Sequence, residues 1–96
     1  MSEYEDVYIG NKPIQNYLTA GIWALGQKNP TRLLGRGSNI KTTVDVAEIL
    51  KRQMINPETI IEIDSEEYED SRNGNKRKVS TISIILKGKK KEKEEK

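Results

Sequence analysis

The side chains able to do chemistry in this chain are cations, and their positions suit phosphate contact rather than covalent catalysis. Lys12 and Arg36 each border a turn next to a helix start, where backbone N–H groups also favour phosphate. A second group, Arg72, Lys76, Arg77 and Lys78, flanks Asn73-Gly74, a strong hairpin-turn signal, with no apolar anchor among them. A flexible cationic tip of that kind suits backbone or minor-groove contact that reads duplex shape rather than base edges. Binding through such groups weakens as salt rises.

Composition makes other chemistries remote. The 96 residues contain no cysteine and no histidine, which removes thiolate chemistry, the commonest general base and the commonest transition-metal ligand. A zinc site would need carboxylates alone. Gly35-Arg36-Gly37 lacks the spacing of either phosphate fingerprint, so it reads as a tight backbone turn and not a nucleotide cradle. Neither an enzyme nor a cofactor is expected. No apolar run approaches the roughly 18 residues of a membrane span. The acidic start, Met1-Ser2-Glu3-Tyr4-Glu5-Asp6, lacks the order of a secretion signal. A cytoplasmic protein with no membrane partner is expected.

Net charge is only +2, from 17 basic and 15 acidic residues, but the two signs are segregated. Glu58, Glu62, Asp64, Glu66, Glu67, Glu69 and Asp70 share one stretch without a base, and the cations of residues 72–78 follow at once. Segregation of this kind suggests a polyanionic partner met by one end of the fold. The acidic stretch would repel that partner and is expected to face away from it. Residues 88–96 read as a disordered Lys/Glu tail, and residues 1–6 as a flexible acidic N-terminus.

The elements that must hold these cations follow from period and punctuation. Residues 7–87 suit one domain, and with 33% hydrophobic residues it has a thin core that gains from sharing a face with another copy. Val7-Tyr8-Ile9 is a short strand closed by Gly10-Asn11. Pro13 suits the first turn of a helix reaching about Gly26, with Ile14, Leu18, Ile22 and Leu25 as its apolar stripe. Arg32-Leu33-Leu34-Gly35 is a buried strand. Ser38 or Asn39 can cap a second helix from Ile40 to about Met54. That helix turns Ile40, Val44, Val46, Ala47, Leu50 and Met54 inward, and Lys41, Asp45, Glu48 and Arg52 outward. Asn56-Pro57 ends it, and strands Thr59–Tyr68 and Lys78–Lys87 form a terminal hairpin. The order β-α-β-α-β-β predicts an α+β domain, a small mixed four-stranded sheet with two helices and a projecting hairpin.

Three segments carry a more specific signal. They are Ile9-Gly10-Asn11-Lys12-Pro13-Ile14-Gln15-Asn16-Tyr17, then Gly35-Arg36-Gly37 through Ile40 with Val44-Asp45, and Arg77-Lys78-Val79-Ser80-Thr81-Ile82. In register, they resemble the opening turn, the arginine-glycine loop and the closing strand of the Alba family of archaeal chromatin proteins. The resemblance spans about residues 7–87. It implies an Alba-like fold, similar to the C-terminal domain of translation initiation factor three. It also implies a homodimer, or a heterodimer with a paralogue, whose two hairpins grip duplex DNA around a basic body. Carried over, it places Lys12, Asn16 and Tyr17 on the body surface and makes Arg36 the loop arginine. Arg72, Lys76, Arg77 and Lys78 fall on or beside the arm, and Lys41, on the outer side of the second helix, joins the candidate set. Met54 and Ile55 match a family position used between dimers, with core burial as the competing reading.

The sequence departs from the family pattern at two turns. Asn11-Lys12 stands where the family commonly has two lysines, and the missing one is the lysine linked to acetylation control. Arg36-Gly37-Ser38 stands where Arg-Gly-Arg is common. Both changes lower the expected affinity for bulk DNA. The expected function is homodimeric binding of double-stranded DNA in archaeal chromatin, with the protein chromosome-associated in the cytoplasm. The alternative is an RNA-binding protein of the same fold acting in RNA processing or stabilisation. A catalytic domain is the third reading, opposed by the lack of histidine and of a paired-carboxylate site.

Overall fold

The structure, a computed structural model, describes residues 3–91. Strand Glu5–Tyr8 (β1) lies parallel to Thr31–Arg36 (β2), and helix Ile14–Leu25 (α1) connects them. After a 3-10 turn at Gly37–Asn39 and helix Ile40–Lys51 (α2), Met54–Glu69 (β3) and Lys76–Lys90 (β4) form a long hairpin. β4 inserts beside β2, giving the sheet order β1-β2-β4-β3. This is the expected mixed four-stranded α+β fold.

The helices cover one face of the sheet. Val7, Leu33, Ile82, Ile84 and Leu86 meet Tyr17, Ala24 and Leu25 of α1 and Val46, Ala47 and Leu50 of α2 in one core. Leu33 and Leu50 are fully buried, and burying each such side chain stabilises the fold by about 2 kcal/mol. The other face carries Tyr8, Arg32, Leu34, Arg36, Thr81 and Ser83, a mixed surface joined by Glu62, Asp64 and Glu66 of β3.

One close approach and one glycine turn fix how α2 sits. Gly35 has no room for a side chain, because a Cβ there would overlap Thr43 Oγ1, and that hydroxyl donates to Asn39 O at 2.8 Å. Gly37 turns the chain with φ +56, the left-handed region that glycine enters without steric cost. Asn39 occupies the N-cap position of α2, but its side chain makes no capping bond.

Several boundaries and faces differ from the sequence reading. The buried residues of α1 are Tyr17, Gly21, Ala24 and Leu25, with Leu18 and Ile22 packed against the core, so of the expected stripe Ile14 alone is exposed. Gly21 lies against Leu50, so small residues allow the helices to approach where a stripe of large ones would hold them apart. Helix α2 stops at Lys51 rather than Met54, and Met54 opens β3. Asn56-Pro57 does not end an element; it forms a bulge within β3, where Asn56 adopts φ 45 and the pairing shifts between Ile55 and Glu58. A bulge of this kind absorbs a proline inside a strand. Met54 is buried in the core, so of the pair matched to the family's dimer–dimer contact Ile55 alone is exposed.

The hairpin is longer than expected, its ladder running from Met54 opposite Lys90 to Glu69 opposite Lys76. Glu5 and Asp6 belong to β1, and residues 88–90 belong to β4. The rest of the tail read as disordered, from residue 92, and residues 1 and 2 lie outside the described residues.

Candidate nucleic-acid interface

Strand direction gathers the candidate cations. β1, β2 and β3 all run the same way, antiparallel to β4, so their C-terminal ends share one end of the sheet. The turn after β1 carries Lys12, the end of β2 carries Arg36, and α2 begins just beyond with Lys41. At that same end the hairpin leaves the sheet. The last β2 residue, Arg36, pairs with Thr81, and from Ser65 opposite Ser80 outward the arm has two strands. It contributes to a molecule 62 × 25 × 22 Å in extent.

The Lys12 turn is held from beneath by Tyr17. The ring is buried, and the hydroxyl accepts hydrogen bonds from the backbone N–H groups of Gly10 and Lys12, each at 2.9 Å. The Tyr17 ring is therefore turned inward, not outward on the body surface as the family pattern implied, and its hydroxyl holds the turn that carries Lys12. Asn16, on the first turn of α1, is exposed beside Lys12. Its N–H donates to Pro13 O at 3.0 Å, leaving the side chain available.

The other cations meet carboxylates. Arg36 Nη2 lies 3.5 Å from Glu66, Lys41 Nζ 2.7 Å from Asp45, and Lys76 Nζ 3.6 Å from Glu67. Asp70 organises the tip. Its side chain accepts the Arg72 N–H at 2.9 Å and pairs with Arg77 Nε at 3.1 Å, while its carbonyl accepts the Gly74 N–H at 2.8 Å. Among the described residues, Lys12 and Lys78 are the candidate cations in no ion pair. The Arg36–Glu66 and Lys76–Glu67 pairs are exposed, and such pairs contribute little to stability, whereas the Asp70 carboxylate is largely covered.

This arrangement corrects the expected placement of the acidic stretch. A strand alternates its side chains between faces, so Glu62, Asp64 and Glu66 fall on the open face of the sheet, with Glu67 and Glu69 on the other. The stretch cannot face away as a block, and it partly neutralises the arm. Neither Glu66 nor Asp70 stood out in the sequence as a partner of these cations. For Asp70 a signal existed: an Asp opening a Gly-containing turn commonly binds the backbone two residues on.

Asp6 and Arg32 form a separate two-point pair at 2.8 and 2.9 Å on the open face, with the Arg32 guanidinium over the Tyr4 ring at 4.6 Å. The hydrogen bonds to Asp6 raise the Arg32 pKa above its ordinary value despite some desolvation. The pair fastens β1 to β2.

Comparison with known proteins supports the same reading. The Alba family model matches residues 5–68. A DNA/RNA-binding protein Alba of Nanoarchaeum equitans is 41% identical, over 84% of this chain and 94% of its own length. One from Methanocella arvoryzae is 36% identical, over 91% and 93%. The structure of Alba from Thermoplasma volcanium superposes with TM-score 0.71 at 30% identity, covering 85% of this chain and 98% of its own. ALBA1 from Trypanosoma brucei, at 18% identity and TM-score 0.60, covers 88% of this chain and 69% of its own and shares the fold. With the turn, the loop and the arm in the family's order, the chain belongs to the Alba family.

Proposed function

We propose that this chain is a homodimeric nucleic-acid-binding protein, not an enzyme, that binds double-stranded DNA mainly through phosphate and minor-groove contacts. In this reading it is associated with the archaeal chromosome in the cytoplasm and helps organise chromatin. The observation that carries it is the meeting of the Lys12 turn, the Arg36 loop and the projecting hairpin at one end of the sheet. That end offers cations on a rigid body and on an arm long enough to follow a groove. The relatives named DNA/RNA-binding proteins support the same class of ligand.

Dimerisation is supported by an apolar strip beyond the helices. Ile61 and Ile63 stand 59% and 79% exposed on the helix-bearing face of β3, and Val44 of α2 is 39% exposed. Covering them takes a second copy, which would bring two arms to one ligand.

Fluorescence anisotropy with two unrelated duplexes and a structured RNA of matched length, across about 50 to 200 mM salt, tests the reading. Similar affinities for both duplexes, falling steeply with salt, are expected. Binding that ignores salt would overturn it. A firm preference for the RNA would move the protein to the second reading, an RNA-binding protein of the same fold, which the relatives' names support equally.

A further inference from the structure

Trp23 is 63% exposed on the outer side of α1, and the core does not use its indole. It stands over a groove of about 450 Å³ between α1 and the free edge of β1, floored by Val7, Ala20 and Ala24. The groove continues, through Val7 and Ala20, into a second segment of about 400 Å³ that ends at Lys12 and Asn16. From Asn16 to Trp23 is seven residues of helix, about 10 Å. That is the reach of a nucleotide from its phosphate to the far side of its base.

We propose that this groove holds an unpaired nucleotide, with its phosphate at Lys12 and Asn16 and its base stacked on Trp23. The two ends differ in the way this orientation requires. Lys12 has no carboxylate partner among the described residues, so its end attracts phosphate. Glu5 lines the Trp23 end only and repels a phosphate there, while Asp6 borders both segments and is already engaged by Arg32. Glu5 is held by Asn29 at 3.2 Å and Asp6 by Arg32, so neither swings across to neutralise Lys12. An aromatic platform beside a cation is how proteins hold single strands without regard to sequence. A duplex keeps its bases stacked inside and cannot offer one to Trp23. The groove lies at the β1 edge of the sheet, away from β3 at the opposite edge, so the proposed dimer leaves it open.

The inference rests on the nucleic-acid reading above and extends it to unpaired strands. Trp23 is the sole tryptophan, so its emission reports on this groove alone. The full chain is titrated with an oligoadenylate strand and with a duplex of matched length, while anisotropy follows binding and emission follows Trp23. The strand should quench Trp23 to saturation and the duplex should not. Trp23→Leu should weaken strand binding roughly 5- to 100-fold, as loss of one stacking platform does, with duplex binding unchanged and Trp23→Phe restoring most of the loss. Salt-sensitive duplex binding with emission untouched by the strand would overturn this inference and leave the duplex reading standing. If neither ligand binds, both fall. Emission that changes with protein concentration alone would assign the groove to a second copy and overturn the proposal.

Discussion

The Lys12 turn and the hairpin arm both present cations at one end of the sheet, yet they are built on opposite plans. The turn is pinned by two hydrogen bonds to the Tyr17 hydroxyl and holds one lysine that is in no ion pair among the described residues. The arm has more cations, but Arg36 at its root and Lys76, Arg72 and Arg77 along it each sit against a carboxylate, and Lys78 is its one candidate cation in no ion pair among the described residues. Number of charges is therefore a poor guide to which region grips a polyanion. A single unopposed lysine on a fixed turn offers more at first contact than several that must first leave a partner.

The comparison is broken most strongly through packing. Gly35→Val should cost about 3 kcal/mol or more, because its side chain overlaps Thr43 and forces α2 off the sheet. At the tip, Gly74→Ala should cost only about 1 kcal/mol, since its strain is that of φ +70 in open space. Urea denaturation of both variants measures the difference; equal losses would mean that the body is no more tightly specified than the arm.

Binding sharpens it next. Lys12→Ala should weaken duplex binding about fivefold at low salt and lower the salt slope by about 1 per protomer, as anisotropy across a salt series would register. Glu66→Gln releases Arg36 and should strengthen binding, by no more than about threefold because both members of the pair are exposed. Smallest of all is the paired deletion Glu67→Ala with Lys76→Ala, which removes one charge of each sign. It should change affinity by less than about twofold, and a larger loss would show that Lys76 reaches phosphate despite its partner.

Much of this plan was legible before the fold was known, and the part that was not has a physical cause. The cations stood out because lysine and arginine at turns are visible one residue at a time. The element order followed from Gly10-Asn11, Pro13 and Asn73-Gly74, which break the period of the segments they separate. The pairing of Glu66 with Arg36 was hidden, since it joins residues far apart in sequence and depends on strand register. Register also decided that the acidic stretch splits between two faces. The role of Tyr17 could be read either way, because a tyrosine beside a turn serves equally to touch a ligand or to hold the backbone. Trp23 gave no sign either: the predicted stripe placed large apolar residues inward, and the structure turned Gly21 to the core and the indole to solvent.

Because Glu66, Glu67 and Asp70 rest against the arm's cations before any ligand arrives, the arm carries its own counterions. A phosphate that takes Arg36, Lys76 or Arg77 displaces a carboxylate tethered to the protein, not a small ion free to diffuse away. Each phosphate so neutralised still releases its own condensed counterion, so the salt dependence counts these contacts too, while the lost ion pair lowers their affinity. Lys12 on the body and Lys78 on the arm, in no ion pair among the described residues, grip without that loss.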